Sequence, residues 1–124
     1  MTEDCPDKSK QGLARVWKAF GYSSSGLRAA FTHEAAFRQE VLLAAILAPI
    51  AFFTPTTGIG KALMIGSIFL VLIAELLNSA LEAAVDRISL DRHPLAKQAK
   101  DIGSAAVLIS LLNVAVVWGL VLFG

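Results

Sequence analysis

At 124 residues, with 56% hydrophobic and only 17% charged side chains, the chain fits one small domain with more apolar side chain than so short a polypeptide can hide from water. Eleven Lys and Arg against ten Asp and Glu leave a formal charge of +1, too weak a field to hold a nucleic acid by counterion release. The single cysteine, Cys5, excludes an internal disulfide and a cysteine-based zinc site.

The first 26 residues are polar and lack the apolar core of a secretory leader, so the protein is expected to stay in the membrane whole. Within them Leu13, Val16, Trp17 and Phe20 recur at helical spacing, with Arg15 and Lys18 off that stripe. This predicts an amphipathic surface helix lying in the headgroup region, with packing on the protein itself as the alternative. Gly21, Ser23, Ser24, Ser25 and Gly26 are expected to end it, and Leu27 to Glu40 then leads into the first apolar run.

Charge is sorted into blocks. Between Val41 and Ala74 only Lys61 is ionisable, and Ile102 to Gly124 carries no charge. Three transmembrane helices are predicted, at about 35–53, 61–87 and 102–123, the first closed by Thr54, Pro55, Thr56, Thr57 and Gly58. Lys and Arg flanking these spans number six before the first, one between the first and second, and four between the second and third. The positive-inside rule therefore puts the N-terminus and the second loop in the cytoplasm.

The second span carries Glu75, Asn78, Glu82 and Asp86 on one face, the last three within about 60° of Glu75. Measured from Lys61, Glu75 lies about 20 Å down the helix and Glu82 about 30 Å, so the row runs from the inner part of the bilayer to its cytoplasmic surface. A central acidic residue costs roughly 2.5 kcal/mol or more on insertion scales, which argues for a function at Glu75. The structural alternatives are hydrogen bonds to neighbouring helices for Glu75 and Asn78, and interfacial placement beside Arg87 for Glu82 and Asp86. Glu34, at the cytoplasmic start of the first span, adds a further carboxylate. Glu34 and Glu82 suit a magnesium ion that takes one or two carboxylates plus substrate phosphates, and Glu75 suits a general base for a hydroxyl. No GxxxxGK[ST] loop, GxGxxG turn or HExxH helix occurs. The pattern by itself reaches an intramembrane carboxylate site open to the cytoplasm.

The stretches Arg28-Ala-Ala, Glu34-Ala-Ala-Phe-Arg-Gln-Glu40, Glu75-Leu-Leu-Asn-Ser-Ala-Leu-Glu-Ala-Ala-Val-Asp-Arg87 and Ala99-Lys-Asp-Ile-Gly-Ser-Ala-Ala-Val-Leu108 resemble those of the prokaryotic integral-membrane diacylglycerol kinases, in order and in spacing, from about Arg15 onwards. The resemblance implies an all-α membrane protein over residues 1–124, with an N-terminal surface segment (1–26) and three transmembrane helices in a homotrimeric bundle whose active sites are shared between protomers. It implies transfer of the ATP γ-phosphate to diacylglycerol, with Mg2+ as cofactor, at the bacterial inner membrane. Carried over by position, Glu75 is the base and Asn78 its orienting partner, and Glu34 and Glu82 are the metal ligands. Arg15, Tyr22, Asp91, Arg92, His93, Lys100 and Asp101 join those two ligands in contacting the nucleotide. Ala19, Arg28, Arg38, Gln39 and Ser104 line the lipid side together with Glu75. Pro94 in the second loop, and Ser24 and Ser25 after the Gly-Tyr-Ser block, depart from the family pattern.

Three other functions fit the pattern. An undecaprenol kinase would share these motifs, a small proton-coupled transporter would use one buried Glu in an oligomer of short helices, and a noncatalytic membrane subunit would dock a partner on the polar face. Three thin helices cannot enclose that face, so self-association is expected in any case.

Overall fold

The computed structural model describes residues 8–88 and 93–124, which form four helices: α1 (Lys8–His33), α2 (Ala35–Phe53), α3 (Gly58–Ile88) and α4 (Pro94–Phe123). Helix α1 runs straight through the Gly21–Gly26 segment that was expected to end it. None of its glycines takes positive φ, and Gly within a helix costs only about 1 kcal/mol, too little to stop one whose neighbours favour it. The chain instead turns at Glu34, where φ is −113° and ψ is 107°. Arg38, one turn into α2, donates from Nη1 to the carbonyls of Phe31 (2.8 Å) and Thr32 (2.9 Å). It thereby satisfies backbone acceptors left open at the end of α1. The Leu13, Val16, Trp17 and Phe20 stripe is exposed along its length.

Helix α2 is apolar throughout and carries Pro49 inside it, which removes one backbone donor yet is tolerated where neighbouring helices support the backbone. It stops where the Thr54 hydroxyl and amide turn back onto the carbonyls of Ile50 (2.6 Å) and Ala51 (3.3 Å). Thr57 then caps α3, its Oγ1 accepting from the Gly60 amide at 3.0 Å.

Helix α3 is the central element, packed on α2 along one side and on α4 along the other. Its buried residues Gly60, Met64, Ser67, Ile68, Val71 and Glu75 form one stripe at spacings of three and four. Phe37 and Ala51 are the buried residues of α2, and Gly103 and Ser110 those of α4. Helix α4 runs antiparallel to α3. Trp118 Nε1 donates to the Met64 carbonyl and to Ser67 Oγ, both at 3.2 Å; further along, Gly103 meets Asn78, and Lys100 reaches Asp86.

All three of α2, α3 and α4 are long and apolar enough to cross a membrane. Helix α4 begins at Pro94, so a polar arm bearing Lys97, Lys100 and Asp101 precedes its charge-free part. The chain exposes 9346 Å², against the about 6400 Å² expected of a water-soluble monomer of this mass. Leu43, Ile46, Phe69, Leu77, Ile109 and Leu120 are among the large apolar side chains left uncovered.

Candidate active site

Glu75 is the most buried carboxylate among the described residues, 7% exposed in the single chain. It owes this to its place on the α3 stripe, one turn beyond Val71. The structure brings it near Glu40 of α2, close enough for each carboxyl group to act on the other. Glu40 Oε2 is buried and accepts no hydrogen bond. The sequence carried a signal for this pair. Glu40 is the last charge before the stretch that holds only Lys61, and Glu75 is the first charge after it. An antiparallel α2–α3 hairpin brings the two ends of such a stretch to one depth.

One turn on, Asn78 Nδ2 donates to Glu82 Oε1 at 3.1 Å, as side chains four apart on a helix can. A further turn on, Asp86 accepts from Lys100 of α4 at 2.6 Å. The four polar side chains of α3 therefore do share a face, and it opens between α2 and α4. Glu34 lies beside Leu76, Ser79, Ala80 and Ala83 of α3, with a half-buried side chain that makes no capping bond to α2. Both Glu34 and Glu82 stand close enough to Glu75 for their charges to act on it.

No group of three or more His, Cys, Asp or Glu side chains forms a metal cage among the described residues. The available donors are two separate carboxylates, Glu34 with no capping bond and Glu82 with only one oxygen engaged by Asn78. That set is too small to hold a calcium ion, which takes six to eight oxygens. It fits magnesium, whose remaining positions go to water and to substrate phosphates.

The other expected residues are more scattered. Arg15, Ala19, Tyr22 and Arg28 are exposed along α1, and Gln39 and Ser104 are exposed on α2 and α4. Arg38 is half-buried and engaged in closing α1. Asp101 accepts from Lys97 at 2.7 Å, a pair that like Lys100 and Asp86 is largely open to solvent. Exposed pairs of this kind contribute little to stability, so both Lys97 and Lys100 can be released to an incoming polyphosphate. His93 caps α4, with Nδ1 accepting from the Leu95 amide at 3.1 Å, and Pro94 occupies the first turn, where its missing N–H is harmless. Asp91 and Arg92 lie outside the described residues.

The sequence model described as prokaryotic diacylglycerol kinase matches residues 21–122. A Pseudomonas aeruginosa protein named diacylglycerol kinase is 53% identical over 119 residues, covering 96% of this chain and 97% of its own. Proteins of the same name from Haemophilus influenzae and Escherichia coli K12 are 51% and 47% identical, each over 90% of this chain and 95% and 92% of theirs. With matches that run almost end to end, the chain belongs to the prokaryotic diacylglycerol kinase family.

Proposed function

We propose that this chain is an ATP-dependent diacylglycerol kinase of the bacterial inner membrane, converting diacylglycerol to phosphatidic acid as a homotrimer with its N-terminus in the cytoplasm. The observation that carries the reading is the graded row on α3. A buried carboxylate at Glu75 is followed by Asn78 bonded to Glu82 and by Asp86 bonded to Lys100, ending at a polar arm.

The row matches what phosphoryl transfer between a water-soluble donor and a lipid acceptor demands, which is positioning plus neutralisation of charge. A diacylglycerol hydroxyl arriving from the bilayer meets Glu75 at acyl-chain depth. Glu75 accepts the hydroxyl proton as the lipid oxygen forms its bond to the γ-phosphorus and the bond to the bridging oxygen breaks, releasing ADP. Asn78, tied to Glu82, helps to orient the base. Glu34 and Glu82 would hold magnesium, which when bound supplies charge neutralisation on the phosphates. Lys100 and Arg15, with the loop cations, would hold the nucleotide from the aqueous side.

The test uses purified protein in mixed micelles with labelled ATP, magnesium and either diacylglycerol or undecaprenol. Labelled phosphatidic acid is the expected product. Labelled polyisoprenyl phosphate alone would replace diacylglycerol as the acceptor, and no transfer to either lipid would overturn the kinase reading. The family's printed names favour diacylglycerol, and no observation favours the transporter or docking-subunit alternatives.

A further inference from the structure

Gly103 of α4 is buried against Asn78 of α3. A Cβ placed on it would collide with Asn78 Oδ1, would lie 3.4 Å from Asn78 Cγ, and would be in ordinary contact with Leu81 at 3.7 Å. Gly66 and Gly119, in the same two helices, have nothing within 4 Å of the equivalent position. Those two glycines face open space, while a Cβ on Gly60 of α3 would lie 3.2 Å from Val121 Cγ1 of α4. What fills the space beside Gly103 is one functional group, the Asn78 carboxamide, which is held through Nδ2 by Glu82 while its buried Oδ1 accepts no hydrogen bond.

The colliding atom is the far end of a rotatable side chain, not backbone. Asn78 and Gly103 both line a cleft of about 630 Å³ between α3 and α4. An added methyl can be accommodated by swinging the carboxamide into that cleft, with the helices left where they are. The swing would break the Asn78–Glu82 hydrogen bond. We propose that Gly103 is a positioning residue for the kinase reaction, kept free of a side chain so that Asn78 stays aligned with Glu82. This rests on the roles proposed above for Asn78 and Glu82.

The experiment compares wild type, Gly103→Ala, Asn78→Ala and the double variant in one detergent, with Gly119→Ala as a control, by turnover, magnesium dependence and thermal unfolding. Gly103→Ala is expected to lose tenfold or more in turnover and to need several-fold more magnesium for half-maximal rate, while Gly119→Ala matches wild type. In the Asn78→Ala background the same glycine substitution is expected to cause no further loss of turnover and to raise the unfolding temperature by more than it does in wild type, since no carboxamide is displaced. Wild-type turnover and magnesium dependence in Gly103→Ala, or equal thermal shifts in both backgrounds, would overturn the proposal. If Gly103→Ala does not fold, a folded double variant supports the proposal, and a double variant that also fails to fold defeats it. Should Asn78→Ala alone keep full turnover, the catalytic role of Asn78 falls, while the thermal comparison still reports whether Gly103 makes room for its side chain.

Discussion

A carboxylate that is 7% exposed on the inward face of a membrane helix is expensive to keep unless it does chemistry or is fully paired. Glu75 meets Glu40 on one side and leads towards Asn78 and Glu82 on the other. Glu75→Gln preserves shape and hydrogen-bonding capacity but cannot accept the hydroxyl proton. Turnover is expected to fall by about 100-fold or more, the usual worth of a general base, with helix content and unfolding temperature held within a few degrees. Full turnover in that variant would remove Glu75 from the chemistry. Glu40→Gln separates the neighbouring carboxyl's contribution, because it keeps the size and polarity of the side chain beside Glu75 while Glu40→Ala removes both. The Gln variant is expected to retain most of the activity and the Ala variant to lose at least several-fold, measured in the same micellar assay. The α3 row was legible in the sequence because it rests on helical periodicity within one element. The part played by Glu40 depends on two helices folding back on each other, which residue spacing within one helix does not report.

At the scale of the helices, the apolar blocks announced α2, α3 and α4, and composition misjudged α1. Glycine and serine between Gly21 and Gly26 read as a stop, yet a helix end is decided by who satisfies the last carbonyls, and here Arg38 does so for Phe31 and Thr32. A guanidinium from the following helix leaves no local trace in the residues it caps. The α3–α4 pair has a comparable fastening at its other end, where Trp118 Nε1 serves both Met64 and Ser67. Trp118→Phe keeps the ring and deletes the donor, which is expected to cost about 1 kcal/mol, read as a lowered unfolding temperature or denaturant midpoint. Ser67 is eleven residues, or about 16 Å along the helix, from Asn78. Turnover of the folded variant is therefore expected to equal wild type, and a loss of rate without a loss of stability would show that this end of the bundle reaches the site.

The whole protomer presents far more surface than a soluble chain of its mass, and lipid can cover the apolar part of it without help. Lipid cannot serve the polar groups that the three membrane helices leave partly open. Asn113 and Ser79 are only half-buried, in or beside clefts flanking α3, and Glu82 is half-buried with one oxygen engaged. Each polar group facing hydrocarbon without a partner costs several kcal/mol, whereas small residues such as Gly103, Ala80 and Ala83 along the same helices allow another backbone to approach closely. Charge bias is expected to set the orientation of the chain. With Cys5 replaced by Ser, a cysteine introduced at Thr57 is expected to react with an impermeant maleimide in intact cells, and one introduced at Gln98 only after permeabilisation; the reverse pattern would invert the topology. Self-association is the stronger expectation, because a lone chain would hold these polar groups against lipid. Purified in a mild detergent at catalytic dilution, the protein is expected to have the molar mass of several chains, three on the family pattern, and amine cross-linking is expected to end in a band of that size. A fully active species with the mass of one chain would mean that the flanking clefts are closed by lipid or water alone, and the site would then have to be complete within a single protomer.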